Sequence, residues 1–304
     1  MRVTGPLGVV LATAFAISAS VSAQQRSEAE CRAAGNSPLP EPSWYAAACG
    51  WMHKGASVGA ANGVLRVPGD PAFHIDLRAT PDNFQTFLLP NANAATTIAP
   101  TASQPFYGLE HDNGTGVLYA VDNTTKQLGT INKATAAFTS LVTITGMGAA
   151  ETATGLAFQS FAGGPVYVSG TDGATSNLYT INTTTGAATL VGPMGTALMI
   201  DIAINNAGQM YGHDIGTDSL YSINTTTGAA TLIGATGIAA NFAQSIDFDK
   251  STGVLYGWVY QGGGVNQFVQ FNLATGAATN LNTPTNLEAE GALTPVELQD
   301  FRIE

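Results

Sequence analysis

Three acidic residues occupy the starts of short apolar segments, and they are the first candidates for chemistry in this chain of 304 residues. Asp201 begins one such segment, while Glu110 and Asp247 share a position just inside two others. Carboxylate oxygens are the ligands that Ca²⁺ prefers in proteins. Three of them around one axis could hold that ion, and we expect no other cofactor. The alternative is that these side chains cap strand ends or face solvent.

A second group of candidates lies in the segments that connect the apolar runs. His213, Asp214 and Asp218 fall close together in one of these connections. An imidazole and two carboxylates could bind a metal or transfer a proton only with partners from other parts of the chain. We therefore predict a binding role for a set of connecting residues, namely Asp172, His213, Asp214, Asp218, Tyr260 and Gln261.

Other notable residues have structural explanations of equal weight. Trp258 and Phe242 could join Tyr260 in contacting a sugar or a peptide, but packing explains Trp258 equally well. His74 and Asp76 alternate on one predicted strand, which does not by itself make a site. The sequence contains no nucleophile elbow, zinc-protease motif, P-loop or dinucleotide-binding glycine motif in the required context. It therefore offers no catalytic constellation.

The charge balance excludes some classes of partner. Lys and Arg total 10 against 21 Asp and Glu, which gives a net charge of −11. A chain this acidic is a poor ligand for nucleic acid or for anionic lipid surfaces. Charged residues make up only 10% of the composition, well below the usual quarter. The surface must be built from Thr, Asn, Gly, Ser and Ala, which is typical of extracellular β-proteins.

The N-terminal segment has the pattern of a secretory signal. Arg2 precedes an apolar stretch over residues 7–21, and small residues lead to a predicted cleavage after Ala23. A membrane anchor is the alternative, but the stretch is shorter than the ~20 apolar residues that span a bilayer. We expect a secreted or periplasmic protein with no membrane insertion. In an oxidising compartment Cys31 and Cys49 predict one disulfide, within an N-terminal arm or cap at 24–62.

The rest of the chain, residues 63–304, repeats one unit. Residues 177–195 read NLYTINTTTGAATLVGPMG, and residues 219–237 read SLYSINTTTGAATLIGATG, with weaker copies from Gln127 and Gln267. Each unit contains four short runs of alternating apolar and polar residues, separated by turn-forming residues. Four antiparallel strands in about 40–50 residues predict one blade of a β-propeller. The alternative is a β-solenoid or a stalk of stacked repeats, whose strands pair in parallel and whose turns are usually shorter.

Incomplete units at the two ends predict how the ring closes. Residues 83–88 and 95–100 resemble third and fourth strands, while 290–294 and 298–303 resemble first and second strands. Together they would form one composite blade and remove the exposed sheet edges. We therefore predict an all-β propeller of five blades. A sixth blade would follow if residues 64–67 and 73–77 formed part of another one.

The repeated unit also resembles a known class of proteins. The pattern G-L-A-F…L-Y-x-I-N-x-x-T-G-A-A-T-L-x-G, over about residues 83–304, is similar to the repeats of exported bacterial β-propeller proteins of unknown function. The resemblance implies a propeller architecture and an exported protein. It carries no catalytic motif and therefore implies no reaction.

The connecting segments differ between the two faces of such a ring. Turns between third and fourth strands are short and nearly invariant, whereas connections such as 170–176 and 260–267 vary in length and chemistry. Variable loops on a rigid scaffold are where binding usually occurs. We predict a secreted, non-catalytic, monomeric binding protein that uses this variable face for an unknown extracellular ligand or protein. The alternatives are a cation-dependent hydrolase or lyase at the channel mouth and a structural component of the cell surface or matrix.

Overall fold

The computed structural model describes residues 71–101, 105–159, 164–242 and 244–294, all of which fall within the unit Pro68–Glu304. The predicted signal peptide, the N-terminal arm and the pair Cys31 and Cys49 lie outside the described residues. The disulfide and the domain boundaries therefore stay predictions. In the described ranges, no helix combines the length and the apolar character needed to cross a bilayer.

Twenty β-strands account for nearly all the regular structure of the described residues. The first three are β1 (Pro71–Asp76), β2 (Asn83–Leu88) and β3 (Thr96–Pro100). Blade 1 contains β4 (Phe106–Asp112), β5 (Val117–Asp122), β6 (Gln127–Ile131) and β7 (Phe138–Thr143). Blade 2 contains β8 (Thr152–Phe158), β9 (Val166–Thr171), β10 (Ser176–Ile181) and β11 (Ala188–Pro193). Blade 3 contains β12 (Met199–Ile204), β13 (Met210–Asp214), β14 (Ser219–Ile223) and β15 (Ala230–Ala235). Blade 4 contains β16 (Gln244–Asp249), β17 (Val254–Gly262), β18 (Val265–Phe271) and β19 (Ala278–Asn282), and β20 (Ala289–Leu293) follows.

These strands form five antiparallel sheets of four strands each, which confirms the predicted five-bladed propeller. The innermost strands are β4, β8, β12, β16 and β20. Each contacts the next, and β20 contacts β4, so the ring is closed. In every blade the connections between strands two and three, and those leading to the next blade, lie at one end of the sheet. We call this end the loop face and the opposite end the turn face.

Blade 5 is composite, as predicted, but its composition differs from the prediction. Its strand order is β20-β1-β2-β3, so one strand comes from the C-terminal part of the chain and three from the N-terminal part. Strands at 83–88, at 96–100 and at 289–293 occupy the expected third, fourth and first positions.

The second strand of the composite blade was wrongly predicted. We expected residues 298–303 there, but β1 fills that position, with Ile75 paired to Glu290 on one side and to Phe84 on the other. Residues 298–303 themselves lie outside the described residues. The segment 73–77 thus belongs to the fifth blade and not to a sixth.

Asparagine shapes the repeated turns on the turn face. The side-chain oxygen of Asn182 accepts hydrogen bonds from the amides of Thr184 at 2.9 Å and Thr185 at 3.0 Å. The amide of Gly186 closes the turn on the Asn182 carbonyl at 2.8 Å, with a φ of 76° that favours glycine. The same arrangement recurs at Asn132, Asn224 and Asn272. The invariant turn sequence is therefore explained by backbone geometry.

The hydrophobic core lies between blades rather than within one sheet. Each of five buried clusters combines side chains from two neighbouring blades. Leu128 of blade 1, for example, packs in one cluster with Leu156 and Val168 of blade 2. Burial of apolar area is the main stabilising contribution to such a fold, so each blade depends on its neighbours for its stability.

Candidate functional site

Four carboxyl groups on the innermost strands are almost completely buried, more so than Asp249 at the end of β16. Three of them are the predicted residues Glu110 on β4, Asp201 on β12 and Asp247 on β16. The fourth is Glu290 on β20, which the sequence analysis missed as a site residue. All four are at most 1% exposed. None of them faces solvent, so that alternative is excluded for the predicted three.

Two of these carboxylates connect neighbouring inner strands. Oδ2 of Asp201 accepts hydrogen bonds from the amide of Ile246 at 2.8 Å and from the hydroxyl of Ser245 at 3.1 Å, both in blade 4. Oδ2 of Asp247 accepts one from the amide of Leu293 in blade 5 at 2.7 Å. Charge-assisted hydrogen bonds of this kind are stronger than neutral ones. Each aspartate therefore ties its own blade to the following one.

The two glutamates are much less satisfied. Neither carboxyl oxygen of Glu110 has a hydrogen bond of good geometry among the described residues, although the backbone of Phe158 and the carboxyl group of Asp247 lie near it. Oε1 of Glu290 also has none there, and its Oε2 receives only the distant amide of Gly108 at 3.4 Å. Buried polar atoms without partners are costly, by about 1–3 kcal/mol each. The centre of the ring therefore contains destabilising groups together with the stabilising aspartates.

Burial controls the ionisation of this cluster. It raises the pKa of Glu110, Asp201 and Glu290 well above the ordinary range, and that of Asp247 to about 6. The negative charge of Asp247 further raises the pKa of Glu110. The ammonium of Lys250 lies 4.0 Å from Oδ1 of Asp247 and opposes the rise in the pKa of Asp247 and of Glu110. It also donates to the carbonyl of Ile204.

The predicted Ca²⁺ ligands come together at the ring centre, but their oxygens are directed largely at backbone amides. Within the described ranges, no group of three or more His, Cys, Asp or Glu side chains is placed to hold a metal ion. What the arrangement can do chemically is bind or release protons inside the ring and link adjacent strands.

The predicted loop-face residues do not form one site. Asp172 is exposed, and its Oδ1 accepts the amides of Ala174 at 2.9 Å and Thr175 at 2.7 Å. These amides lower the pKa of Asp172. Asp214 is buried, and its Oδ2 accepts the amide of Leu198 at 2.8 Å. In the structure, both aspartates have clear roles in shaping loops.

His213 and Asp218 lie beside each other in the same blade but serve packing and loop geometry. His213 is fully buried against the ring of Phe271, with a centroid distance of 5.7 Å. Neither of its ring nitrogens has a hydrogen-bond partner among the described residues. Burial lowers the pKa of His213 to about 4, although the charges of Asp218 and Asp214 oppose this shift. The ring is therefore neutral near pH 7, and Oδ1 of Asp218 accepts the amide of Ala240 at 2.8 Å.

Tyr260 and Gln261 lie near the end of β17, just before the hairpin turn into β18. The Tyr260 hydroxyl accepts hydrogen bonds from Nη1 of Arg78 at 3.0 Å and from the amide of Gly264 at 3.2 Å. Gln261 Oε1 accepts Nε2 of Gln267 across the hairpin at 2.7 Å. These contacts hold the hairpin in a defined shape, and they brace it against blade 5 through Arg78.

An uncharged apolar patch lies on this part of the loop face. Phe242 is 61% exposed and Val265 is 42% exposed, and they belong to the loops 236–242 and 260–265. Neither loop contains a charged residue. The amide of Asn241 donates to the Tyr260 carbonyl at 2.7 Å and joins the two loops. We call these two loops the junction patch.

A cavity of about 430 Å³ opens between blade 4 and blade 5. Its wall includes His74, Asp76 and Gln85 from the composite blade, and residues 283–287 from the connection that leaves blade 4. The sequence analysis noted the alternation of His74 and Asp76 but gave no reason to select them. The cavity could not be found from the sequence, because it depends on how two blades meet.

Comparison with known proteins identifies the repeat. Residues 91–245, just over half of the chain, match a family described as "Repeat of unknown function (DUF6923)". The chain belongs to the DUF6923 family. The expected likeness to propeller repeats of unknown function is confirmed in this respect, whereas a bacterial origin and export stay predictions. No curated protein matches the chain.

Solved structures similar to this DUF6923 protein are propeller neighbours of diverse kinds. One is a chain of the nidogen/laminin complex, with a TM-score of 0.50, 10% identity, and coverage of 74% of this chain and 98% of that chain. Another is the PQQ-bound aldose sugar dehydrogenase from Streptomyces coelicolor, with a TM-score of 0.44, 12% identity, and coverage of 62% of this chain and 70% of that chain. A third is regucalcin, a calcium-binding protein from Agrobacterium tumefaciens, with a TM-score of 0.42, 12% identity, and coverage of 72% of this chain and 74% of that chain. At these identities the likeness shows the fold alone.

Within this DUF6923 propeller, Glu290 is the site residue that sequence comparison between copies could have found. It pairs with Ile75 as Asp201 pairs with His213, each opposite the second strand of its own blade. The signal was weak, because the last copy of the repeat continues in strands from the opposite end of the chain.

Proposed function

We propose that this DUF6923 protein is an exported, non-catalytic binding protein, and that it binds a protein partner through the junction patch on its loop face. The observation that carries the proposal is the exposure of Phe242 and Val265 in two uncharged loops of a strongly acidic chain. Exposed apolar surface on a rigid scaffold is typical of interaction sites. Aromatic side chains in particular are enriched in the centres of protein interfaces.

The support for the patch is rigid, which favours binding. Tyr260 is fixed on both backbone sides by Gln244, whose Nε2 donates to its carbonyl at 2.8 Å and whose Oε1 accepts its amide at 3.1 Å. Strand β17 is nine residues long and extends its hairpin beyond those of the other blades. A preorganised surface loses less conformational entropy when a partner binds.

A peptide selection tests this proposal with a matched control. The purified wild-type protein is used to select binders from a displayed library of random peptides, and the binders are then measured against Phe242→Ser and Leu190→Ser. Leu190 is 55% exposed on the outer strand β11, so it matches the apolar loss away from the loop face. We expect Phe242→Ser to weaken binding at least about tenfold, the effect of ~1.4 kcal/mol, and Leu190→Ser to leave it unchanged. Failure to enrich any peptide, or equal binding by Phe242→Ser, would reject the proposal.

Export rests on the N-terminal sequence pattern alone and has its own test. We expect the protein recovered from the periplasm or the medium of an expressing cell to begin at Gln24. Recovery of the protein only from the cytoplasm, with Met1 retained, would count against export. The binding proposal would still stand in that case.

A further inference from the structure

The cavity between blade 4 and the composite blade 5 is a consequence of how the ring closes. At the junctions of blades 1–2, 2–3 and 3–4, backbone hydrogen bonds connect the outer strands: Ala188 to Thr145, Ala230 to Met194, and Ala278 to Thr236. At the junction of blades 4 and 5, the side chain of Asn282 instead accepts the amide of Ala92. The composite blade lacks the repeated Asn-containing turn and has a 3-10 turn at Ala92–Ala94.

The inner wall of the cavity is an ordered chain of neutral hydrogen-bonding groups. Nε1 of Trp258 donates to Nδ1 of His74 at 3.2 Å, so the ring proton of His74 resides on Nε2. That Nε2–H group faces Oε1 of Gln85 at 2.6 Å. Nε2 of Gln85 then donates to the hydroxyl of Thr97 at 3.2 Å. This chain fixes the orientation of the Gln85 amide.

Burial of the His74 ring also helps to fix the orientation of these hydrogen-bonding groups. His74 is fully buried and packs between the rings of Trp258 and Phe87, with centroid distances of 6.4 and 5.5 Å. Its pKa is lowered to about 4 by burial, which keeps the imidazole neutral. The wall therefore keeps one hydrogen-bond pattern near neutral pH, as a selective binding site requires.

The charge at the cavity favours a ligand that is not an anion. Asp76 is the acidic group of the lining. Burial raises the pKa of Asp76, whereas hydrogen bonds from the backbone of Arg78 and Glu288 and the charge of Arg78 lower it. The guanidinium of Arg78 is engaged with the Tyr260 hydroxyl at 3.0 Å and with Oδ1 of Asn286 at 3.4 Å. The remaining polar lining consists of amides and hydroxyls such as Asn93 and Thr285.

We propose that this cavity binds a neutral, polyhydroxylated small molecule of the mono- or disaccharide class. Sugar hydroxyls both donate and accept hydrogen bonds, so they match a carboxylate that accepts together with amides and hydroxyls that do both. A volume of about 430 Å³ lies in the usual range for small-ligand sites, about 300–1,000 Å³. The site lies between two blades and adjoins the junction patch, because Thr285 of its lining forms a backbone bridge with Val265. It takes a different class of ligand and therefore goes beyond the proposed protein-binding function.

Calorimetric titration with defined sugars tests this site. The full-length protein is titrated with D-glucose, D-galactose, maltose and trehalose, and with D-glucuronate as the anionic counterpart of glucose. We expect at least one neutral sugar to bind and D-glucuronate to bind at least about tenfold more weakly than glucose. No binding by any of the four neutral sugars, or equal binding of glucuronate, would overturn the proposal.

Two variants place the sugar in the cavity. Asp76→Asn removes the carboxylate, and Thr285→Val removes a hydroxyl while keeping the shape of the side chain. Each is expected to weaken the binding of the sugar by about tenfold, as loss of one ligand hydrogen bond predicts. Thr189→Val, an exposed threonine of β11, serves as the control. Unchanged affinity in both cavity variants would show that the sugar binds elsewhere.

The outcomes are separable from those for the junction patch. Melting curves establish that each variant is folded, and Phe242→Ser is titrated with the same sugar. We expect it to bind the sugar as the wild-type protein does. Conversely, Asp76→Asn should retain the peptides selected through the patch. Loss of both activities in either variant would contradict the assignment of two separate sites.

Discussion

Raising the pH from about 4 to about 7 should remove the stabilisation that the central carboxyl groups provide, because these groups hold their protons more tightly in the folded state. Asp247 has its pKa raised from 3.8 to about 6 by burial. Between these values the folded state binds more protons than the unfolded state, so the free energy of unfolding falls as the pH rises. The whole stabilisation from this proton uptake is present below pH 3.8 and is lost as the pH passes about 6.

The size of the effect follows from the shift. About two pKa units correspond to about 3 kcal/mol for Asp247 alone. In a domain of this size, 1 kcal/mol changes Tm by about 2–4 °C, so the ionisation of Asp247 alone should lower Tm by roughly 6–12 °C. Glu110, Asp201 and Glu290 have their pKa values raised in the same direction and add to the decrease.

The Glu110→Gln variant isolates the central cluster from surface groups. Exposed carboxylates such as Asp172 have a lowered pKa and act in the opposite direction. Burial favours the protonated form of Glu110 in the folded state, and glutamine keeps the shape of this side chain without the charge. We therefore expect the variant to resemble the wild type near pH 4 and to be more stable than it above about pH 6.

Urea unfolding followed by circular dichroism, repeated across this pH range, measures both effects. Asp172→Asn provides a control that removes an exposed acidic group from outside the cluster. The wild-type profile is read against that of the variant, because the buried His74 and His213, with pKa values lowered to about 4, make the free energy of unfolding rise over the same range. Parallel profiles for the wild type and Glu110→Gln would show that Glu110 is not the buried proton acceptor described here.

Three further substitutions test the packing of the ring by urea unfolding. Asp247→Asn should destabilise the protein by about 1–3 kcal/mol near pH 4, where the charge of Asp247 is absent, because the new NH2 group must face either the Leu293 amide or the Phe248 amide, which now donate to Oδ2 and Oδ1; an unchanged midpoint at that pH would contradict this. His213→Leu should be neutral or stabilising by up to about 1–3 kcal/mol, since both ring nitrogens lack partners among the described residues; marked destabilisation would mean that the ring is hydrogen-bonded. Gly192→Ala should destabilise by about 1–3 kcal/mol, because its methyl group would lie 2.1 Å from the Thr227 carbonyl oxygen, and normal stability would show that the two blades can separate there.

The repeated blades could be predicted from sequence because their information is local. The alternating runs and the Asn-containing turn each lie within one unit, and the structure confirms four strands per blade. The composite blade was harder to predict, because β1 must pair with β20, which lies more than two hundred residues away in the chain. Local alternation could not decide between residues 71–76 and 298–303 for that place.

The candidate sites also divide into those that recur within the repeat and those that depend on the packing of distant segments. Glu110, Asp201 and Asp247 were found because they recur at related positions of the repeat, and the structure brings them to the ring centre. His213 and Asp214 were selected for their chemistry, but their complete burial gives them structural contacts instead. The cavity at His74 and Gln85 depends on an irregular junction between two blades, which no pattern within a single unit encodes.

The late position of β20 in the chain has a consequence for synthesis on the ribosome. Until residues 289–293 emerge, β1 has no neighbour on its inner side, and Oδ2 of Asp247 lacks the Leu293 amide that it binds in the finished ring. Blades 1 to 4 can form in order as they are made, but the apolar faces that will pack against β20 stay exposed to water until it is added. Chaperones should therefore be needed to protect the nascent chain from aggregation until β20 has left the ribosome.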